Sequence, residues 1–116
     1  MAGFKVGSDQ VAAAAWINFD GTGSFAIRDS YNVSGLTDNG TGDYTIVWDV
    51  NFTNTNYAYQ TFSHYGGSSN DMGYLGLYDS GQATGQLRLF NLSALNGATT
   101  STAGDCEQGH VAAFGN

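Results

Sequence analysis

The sequence predicts an all-β protein, an antiparallel β-sandwich or jelly-roll-like domain of about seven or eight short strands. Three observations predict it. The 116-residue chain has 17 glycines and no proline and is rich in Thr, Tyr and Phe, which favours strands and turns over helices. Short apolar stretches recur between glycine-rich breaks, as in sandwiches and barrels. The clearest stretch, DYTIVWDVNF at 43–52, alternates apolar and polar residues with the period of a strand.

The elements follow one another without a second domain boundary. Residues 1–10 are interpreted as an N-terminal arm, and 11–116 as a single β domain, which is what a chain of this length allows. The predicted strands are 11–19, 24–28, 31–37, 43–52, 57–65, 74–78, 83–92 and 110–115. Loops 66–73 and 93–105 are rich in Gly, Ser, Asn and Thr, and we expect them to lie at the surface and to contact a partner.

Two turns use the same pattern. DGTGSFAI at 20–27 and NGTGDYTI at 39–46 share an Asx-Gly-Thr-Gly turn followed by an aromatic residue and Ile. Glycine supplies the positive φ angles that tight hairpins need. We therefore expect two successive hairpins, with coincidence in a Gly/Thr-rich chain as the alternative.

The strand at 43–52 predicts the composition of the core. Its alternate residues from Tyr44 to Phe52 place Tyr, Ile, Trp, Val and Phe on one face, and mostly polar residues on the other. The residues predicted to form the core or an oligomer interface are Trp16, Phe19, Ile27, Tyr44, Ile46, Trp48, Phe62 and Phe114.

The charge balance excludes two classes of partner. Three basic residues face ten acidic ones, for a net charge of −7. Nucleic acid binding requires a clustered basic surface, and anionic membranes attract basic segments, so neither partner is expected. The chain has no stretch of about 18 apolar residues, so the sequence does not predict a membrane-spanning helix.

The predicted strands lack the usual protection of sheet edges. Monomeric β proteins guard their edges with lysine, inward charges or proline, and this chain has one lysine and no proline. YAYQTFSHY at 57–65 has no formal charge and has apolar or aromatic residues on both faces. We therefore expect copies of the chain, or a larger assembly, to cover such edges.

Few residues suit catalysis or metal binding. Cys106 and His110 have a spacing that suits a metal on a helix, but CEQGH has little helix propensity and two ligands are too few for structural zinc. The single cysteine excludes an internal disulfide, and we interpret it as a passive thiol. We expect no catalytic residues, no cofactor and no resident metal.

Two groups of acidic residues are candidate sites. DNGTGD at 38–43 offers oxygen ligands for calcium but lacks the spacing of an EF-hand, and Asx turns explain it without a metal, although calcium between subunits stays an alternative. Asp105 and Glu107 are close in sequence, as a glycosidase pair would need to be in space, but a solvated acidic turn explains them better.

Surface tyrosines are the best candidates for binding. Tyr65, Tyr74 and Tyr78 flank the loop GGSSNDMG, which also holds Asn70 and Asp71. Such side chains can stack on and hydrogen-bond a sugar, but tyrosine is also enriched in protein interfaces, and we favour the interface.

A longer segment supports a family-level hypothesis. Residues 15–60, with AWINF, DGTG, AIR and NGTGDY in this order, and the terminal HVAAFG, resemble a segment of tailed-bacteriophage virion proteins common in marine phages. The resemblance implies a receptor-facing or tip module of a tail fibre or related appendage, homotrimeric and without catalysis.

The resulting hypothesis is a non-enzymatic virion protein. It would form a homotrimeric fibre, spike or appendage module on the particle surface, contacting itself, other virion proteins and a host glycan or protein. The alternatives are a capsid-decoration or head-fibre protein gripped through the arm at 1–10, and a carbohydrate-binding module.

Overall fold

The computed structural model of this chain describes residues 5–6, 9–10, 12–64, 66, 72–94 and 102–116. Within these ranges the chain forms eleven strands. They are β1 (Lys5–Val6), β2 (Asp9–Gln10), β3 (Ala15–Asp20), β4 (Ala26–Tyr31), β5 (Val33–Gly40), β6 (Asp43–Trp48), β7 (Ala58–His64), β8 (Met72–Gln82), β9 (Gln86–Ala94), β10 (Thr102–Ala103) and β11 (Gln108–Phe114).

Nine of these strands build two antiparallel sheets that pack together, which confirms the predicted β-sandwich. Sheet 1 has the order β4-β3-β11-β7. Sheet 2 has the order β8-β9-β6-β5, and the short β10 pairs with β9 beyond the first residue of β6, Asp43. Strands β1 and β2 of the N-terminal arm pair with each other.

The core lies between the inward faces of the two sheets. Alternate residues of β3 and β11 are buried from sheet 1, and alternate residues of β6 and β9 from sheet 2, as the two-residue period of a strand requires. The buried hydrophobic residues are Ala14, Ala15, Ile17, Phe19, Tyr44, Ile46, Trp48, Phe52, Tyr57, Leu75, Leu87, Leu89, Cys106, Val111 and Ala113.

Strand β6 is shorter than predicted. It ends at Trp48, and Val50 is 48% exposed, so the expected alternation does not reach Phe52 as one strand. Phe52 is buried all the same, because its ring stacks on Tyr57 at 4.0 Å between centroids. The sequence pattern identified four of the five residues of this face as buried, but it was wrong for Val50 and for the end of the strand.

The two Gly-Thr-Gly turns differ in structure. Gly40 and Gly42 have φ angles of 134° and 68°, as predicted for the β5–β6 hairpin. Neither Gly21 nor Gly23 has a positive φ, so the expectation of shared turn chemistry is wrong for the β3–β4 turn. Gly21 is required there for space, because an added Cβ would collide with the phenol of Tyr44.

The chain crosses between sheets at Asn32, and the gap predicted between the strands 24–28 and 31–37 is absent. Strand β4 runs through to Tyr31, and Asn32 then adopts φ 56°, a left-handed conformation that asparagine tolerates better than most residues. Its amide accepts from the N–H of Val50 at 2.7 Å and donates to the carbonyl of Val50 at 3.1 Å. This pairing fixes the start of β5 in sheet 2.

The edge strands are better protected than the sequence suggested. β7 is an edge strand of sheet 1, but β8 packs along it, and Thr61 donates its hydroxyl to the Leu75 carbonyl at 2.8 Å. The edge strand β4 carries Arg28 at a bulge and the exposed Asp29, and β5 carries Asp38 and two register shifts. The prediction of unguarded edges is therefore wrong for these strands.

Candidate functional site

The predicted core or interface residues separate into two groups. Four of them are buried between the sheets, namely Phe19, Tyr44, Ile46 and Trp48. The other four are exposed on sheet 1, namely Trp16, Ile27, Phe62 and Phe114. Trp16, Phe62 and Phe114 lie on the outer surface of sheet 1, whereas Ile27 pairs with the inward-facing Phe19 and is exposed at the edge strand β4.

Asp105 and Cys106, the candidates for a glycosidase pair and a reactive thiol, belong to a buried hydrogen-bond network around Tyr44. The Tyr44 hydroxyl lies 3.0 Å from Asp105 Oδ1 and 3.1 Å from the Gly21 carbonyl, either of which can accept its proton. The same oxygen accepts the backbone N–H of Cys106 at 3.2 Å. Asp105 also accepts the N–H of Gly42 at 2.8 Å. Asp105 therefore joins its own segment to the β5–β6 turn at Gly42 and to Tyr44 of β6.

Cys106 and His110 do not form a metal pair. Cys106 is fully buried, and burial raises the pKa of its thiol to about 11. His110 lies on the outer surface of sheet 1, because its neighbours Gly109 and Val111 are the inward-facing residues of β11. The thiol is protonated at neutral pH and faces the core, which is the environment of an inert cysteine.

The acidic turn considered for calcium has other partners. Asp38 accepts the N–H of Gly40 at 3.0 Å, and Asp43 forms a two-point ion pair with Arg88 at 2.9 and 2.7 Å. Asn39 donates to Thr45 at 2.8 Å. Within the part of the chain that the structure describes, no three His, Cys, Asp or Glu side chains are grouped to hold a metal ion.

The outer surface of sheet 1 contains an open groove of about 360 Å³, which we call the outer groove. Two rows of residues cross three neighbouring strands there. Trp16, Ala112 and Gln60 are register partners in the first row. Asn18, His110 and Phe62 are register partners in the second. Because strands are about 4.8 Å apart, β3 and β7 run about 10 Å from each other on either side of β11.

The side chains of the outer groove combine aromatic walls with uncharged polar groups. Phe62 is 54% exposed and Trp16 is 37% exposed, and the two stand on β7 and β3 at diagonal corners. The Phe62 ring lies 5.4 Å from the imidazole of His110 between centroids. The small side chain of Ala112 leaves the space between Trp16 and Gln60 open.

Asn18 has an unusual environment at the groove. It lines the groove, and its Oδ1 is buried without a hydrogen-bond partner among the described residues. An unsatisfied buried polar atom costs about 1–3 kcal/mol, so each one in a folded protein needs an explanation.

The opposite face of the sandwich, the outer surface of sheet 2, carries the predicted tyrosines. Tyr74 is 62% exposed, and its ring meets Phe90 edge-on at 6.4 Å between centroids. The Arg88 guanidinium lies 3.9 Å from the centre of the Tyr78 ring. We call Tyr74, Tyr78 and Phe90 the tyrosine surface. The structure does not describe Tyr65, Asn70 or Asp71, or most of loops 66–73 and 93–105.

The sequence alone does not mark Asn18, Gln60 and Ala112 as members of a site. Each is an ordinary residue type for a strand, and only the register of β3, β11 and β7 brings them together. One signal was present, because WIN at 16–18 and QTF at 60–62 each place an amide and an aromatic residue on one strand face.

No protein family, no curated protein and no solved structure matches this chain. Among the described residues there is no helix of the length and hydropathy needed to cross a bilayer.

Proposed function

We propose that this chain is a non-enzymatic structural protein of a bacteriophage particle, a homotrimeric fibre, spike or related appendage module. The observation that carries the proposal is the tyrosine surface, an exposed aromatic area on sheet 2 of a strongly acidic chain. The resemblance of residues 15–60 to virion proteins supplies the biological setting, and the homotrimer comes from that resemblance.

The tyrosine surface has the composition of a protein interface. Interface centres are enriched in tyrosine and other aromatic residues, and Tyr74 is the most exposed large apolar side chain among the described residues. Next to it, Phe90 and Leu92 face the same way, because Leu89, Asn91 and Ser93 between and beside them are buried. Covering these side chains with another subunit would remove apolar area from water.

Charge also favours this surface for contacts between copies. Copies with a net charge of −7 repel one another, so an interface between them needs a locally neutral area. On sheet 2 the charge of Asp43 is balanced by its ion pair with Arg88, and Arg88 in turn stacks on Tyr78. The charges of Asp43 and Arg88 therefore cancel within each subunit.

The contacts of the reactive side chains support a structural role. Asp105 fastens loops, Asp43 pairs with Arg88 and Cys106 is buried in the core. These contacts occupy the groups that a hydrolase or thiol enzyme would need free. The virion assignment itself stays a proposal that particle experiments must test.

Labelling on particles tests the virion assignment directly. Gold-conjugated antibodies raised against the purified chain should decorate the tail tip or an appendage of phage particles that encode it. Label spread over the capsid would instead favour capsid decoration, and truncation of residues 1–10 should then abolish incorporation into heads. A particle preparation that contains no trace of the chain by mass spectrometry would overturn both forms of the proposal.

A further inference from the structure

We propose that the outer groove is a binding site for a neutral sugar ring, such as an uncharged hexose within a glycan. The proposal goes beyond a structural role and uses the opposite face of the sandwich from the tyrosine surface. A trimer assembled through sheet 2 would leave this groove open to solvent.

The walls of the groove suit the apolar face of a sugar. Trp16 and Phe62 present aromatic surface on two strands that flank β11, about 10 Å apart. Aromatic rings are large, rigid and apolar on their faces, and the C–H face of a hexose can pack on them. Ala112 contributes only a methyl group between these strands and so keeps the floor low.

The polar groups of the groove suit hydroxyls. Asn18 and Gln60 each carry an amide that both donates and accepts, and neutral His110 has one nitrogen of each kind. A hydroxyl also does both, so it can pair with the Asn18 amide in either flip orientation. The torsion that turns this amide is soft, which allows its buried oxygen to rotate toward a bound ligand. A bound hydroxyl would supply the partner that Asn18 Oδ1 lacks among the described residues.

Charge and size narrow the class of ligand. No side chain that lines the groove carries a formal charge with histidine neutral, which disfavours phosphorylated or acidic ligands. A volume of about 360 Å³ lies at the small end of ligand sites and matches one or two sugar rings. A second copy of the chain would need a far broader contact, about 800 Å² per partner.

Tryptophan fluorescence of the full chain can test the proposal. Trp16 is 37% exposed and Trp48 is 2% exposed, so a ligand in the groove changes the emission of Trp16 alone. The probes are glucose, galactose, mannose and N-acetylglucosamine with their disaccharides, and glucuronic acid as the charged control. We expect at least one neutral sugar to give a saturable blue shift and to protect Trp16 from acrylamide quenching.

Three variants assign the binding to the groove. Trp16→Ala should weaken binding roughly tenfold or more, measured by calorimetry, because it removes a stacking wall. Ala112→Leu should abolish binding by filling the floor. Val50→Ala, at a side chain that is 48% exposed and belongs to neither the groove nor the tyrosine surface, should leave sugar binding unchanged.

Asn18→Leu distinguishes a functional amide from a structural one. Leucine has a similar size and removes the unsatisfied oxygen, so this variant should unfold at the same or a higher urea concentration while binding sugar at least several-fold more weakly. A variant that loses stability and keeps full binding would contradict the role of the amide.

Two results would overturn the proposal. The first is that no neutral sugar in the panel gives a saturable shift of the tryptophan emission. The second is a drop in assembly mass in both Trp16→Ala and Ala112→Leu, which would make the groove an interface between copies. Neither result bears on the particle labelling that tests the virion assignment.

Discussion

The backbone N–H of Cys106 donates to the phenol oxygen of Tyr44 across 3.2 Å in the buried end of the sandwich. The residues are 62 positions apart in the sequence, and their bond joins the segment before β11 to the centre of sheet 2. The Phe19 ring closes this end from sheet 1, with 5.2 Å between the ring centroids of Phe19 and Tyr44.

Tyr44→Phe should destabilise the fold by about 1–3 kcal/mol in urea unfolding. The change removes the phenol oxygen, so the N–H of Cys106 loses its acceptor and Asp105 loses one hydrogen bond. The control is Tyr31→Phe at a side chain that is 48% exposed, where we expect a change within about 0.5 kcal/mol. Equal stability of the two variants would show that the Tyr44 hydroxyl does not organise this end of the sandwich.

Gly42→Ala should destabilise the fold by more than about 1 kcal/mol, because alanine is strained at φ 68° and its Cβ would lie 2.7 Å from the Asn91 carbonyl. Gly23→Ala is the matched control, since an added Cβ there meets nothing within 4 Å and φ is not positive. We expect the control to be neutral or slightly stabilising. Thermal unfolding of both variants measures the difference, and a tolerant Gly42 would contradict the hairpin geometry.

The Asp43–Arg88 pair predicts a specific acid response. The hydrogen bond from Arg88 holds the pKa of Asp43 below its ordinary value. A carboxyl with a lowered folded pKa contributes stability above its unfolded pKa of about 4, and that contribution is lost as pH falls through the folded value. The difference in unfolding midpoint between wild type and Asp43→Asn should therefore shrink from pH 7 to pH 2. A difference that stays constant with pH would contradict the pairing, and Arg88→Gln should reproduce the Asn variant.

Cys106 should report global unfolding. Its thiol is fully buried and its pKa is raised to about 11 by burial, so little thiolate exists at pH 8 and reagents cannot reach it. We expect labelling by a disulfide reagent to be slow in buffer and to accelerate in proportion to the unfolded fraction in urea. Complete labelling of the native protein within seconds would place the thiol at the surface instead.

The sequence predicted the class of fold because periodicity and turn residues are local signals. The alternation in 43–48 and the glycines at 40 and 42 act within one hairpin, and both predictions are confirmed. The end of β6, the crossing at Asn32 and the packing of β8 along β7 depend on partners far away in the chain. Local patterns carry no information about those partners, and these were the details predicted wrongly.

The candidate sites show the same division. Tyr74 and Tyr78 were identified from residue type alone, and the structure shows both exposed on one sheet. The outer groove depends on the register that places Ala112 between Trp16 and Gln60, with the second row beside them. A shift of one residue in β11 would bring Val111 to the surface and remove the groove. No pattern within a single strand specifies that register.

Self-association through the tyrosine surface is the central claim, and sedimentation velocity of the purified chain over a concentration series tests it most directly. We predict a species of about 37 kDa, three times the 12.2 kDa of one chain, that shifts toward the monomer when Tyr74 and Tyr78 are both replaced by alanine. A wild-type protein that sediments as a 12.2 kDa monomer at every concentration, with the tyrosine surface open to water, would contradict the account.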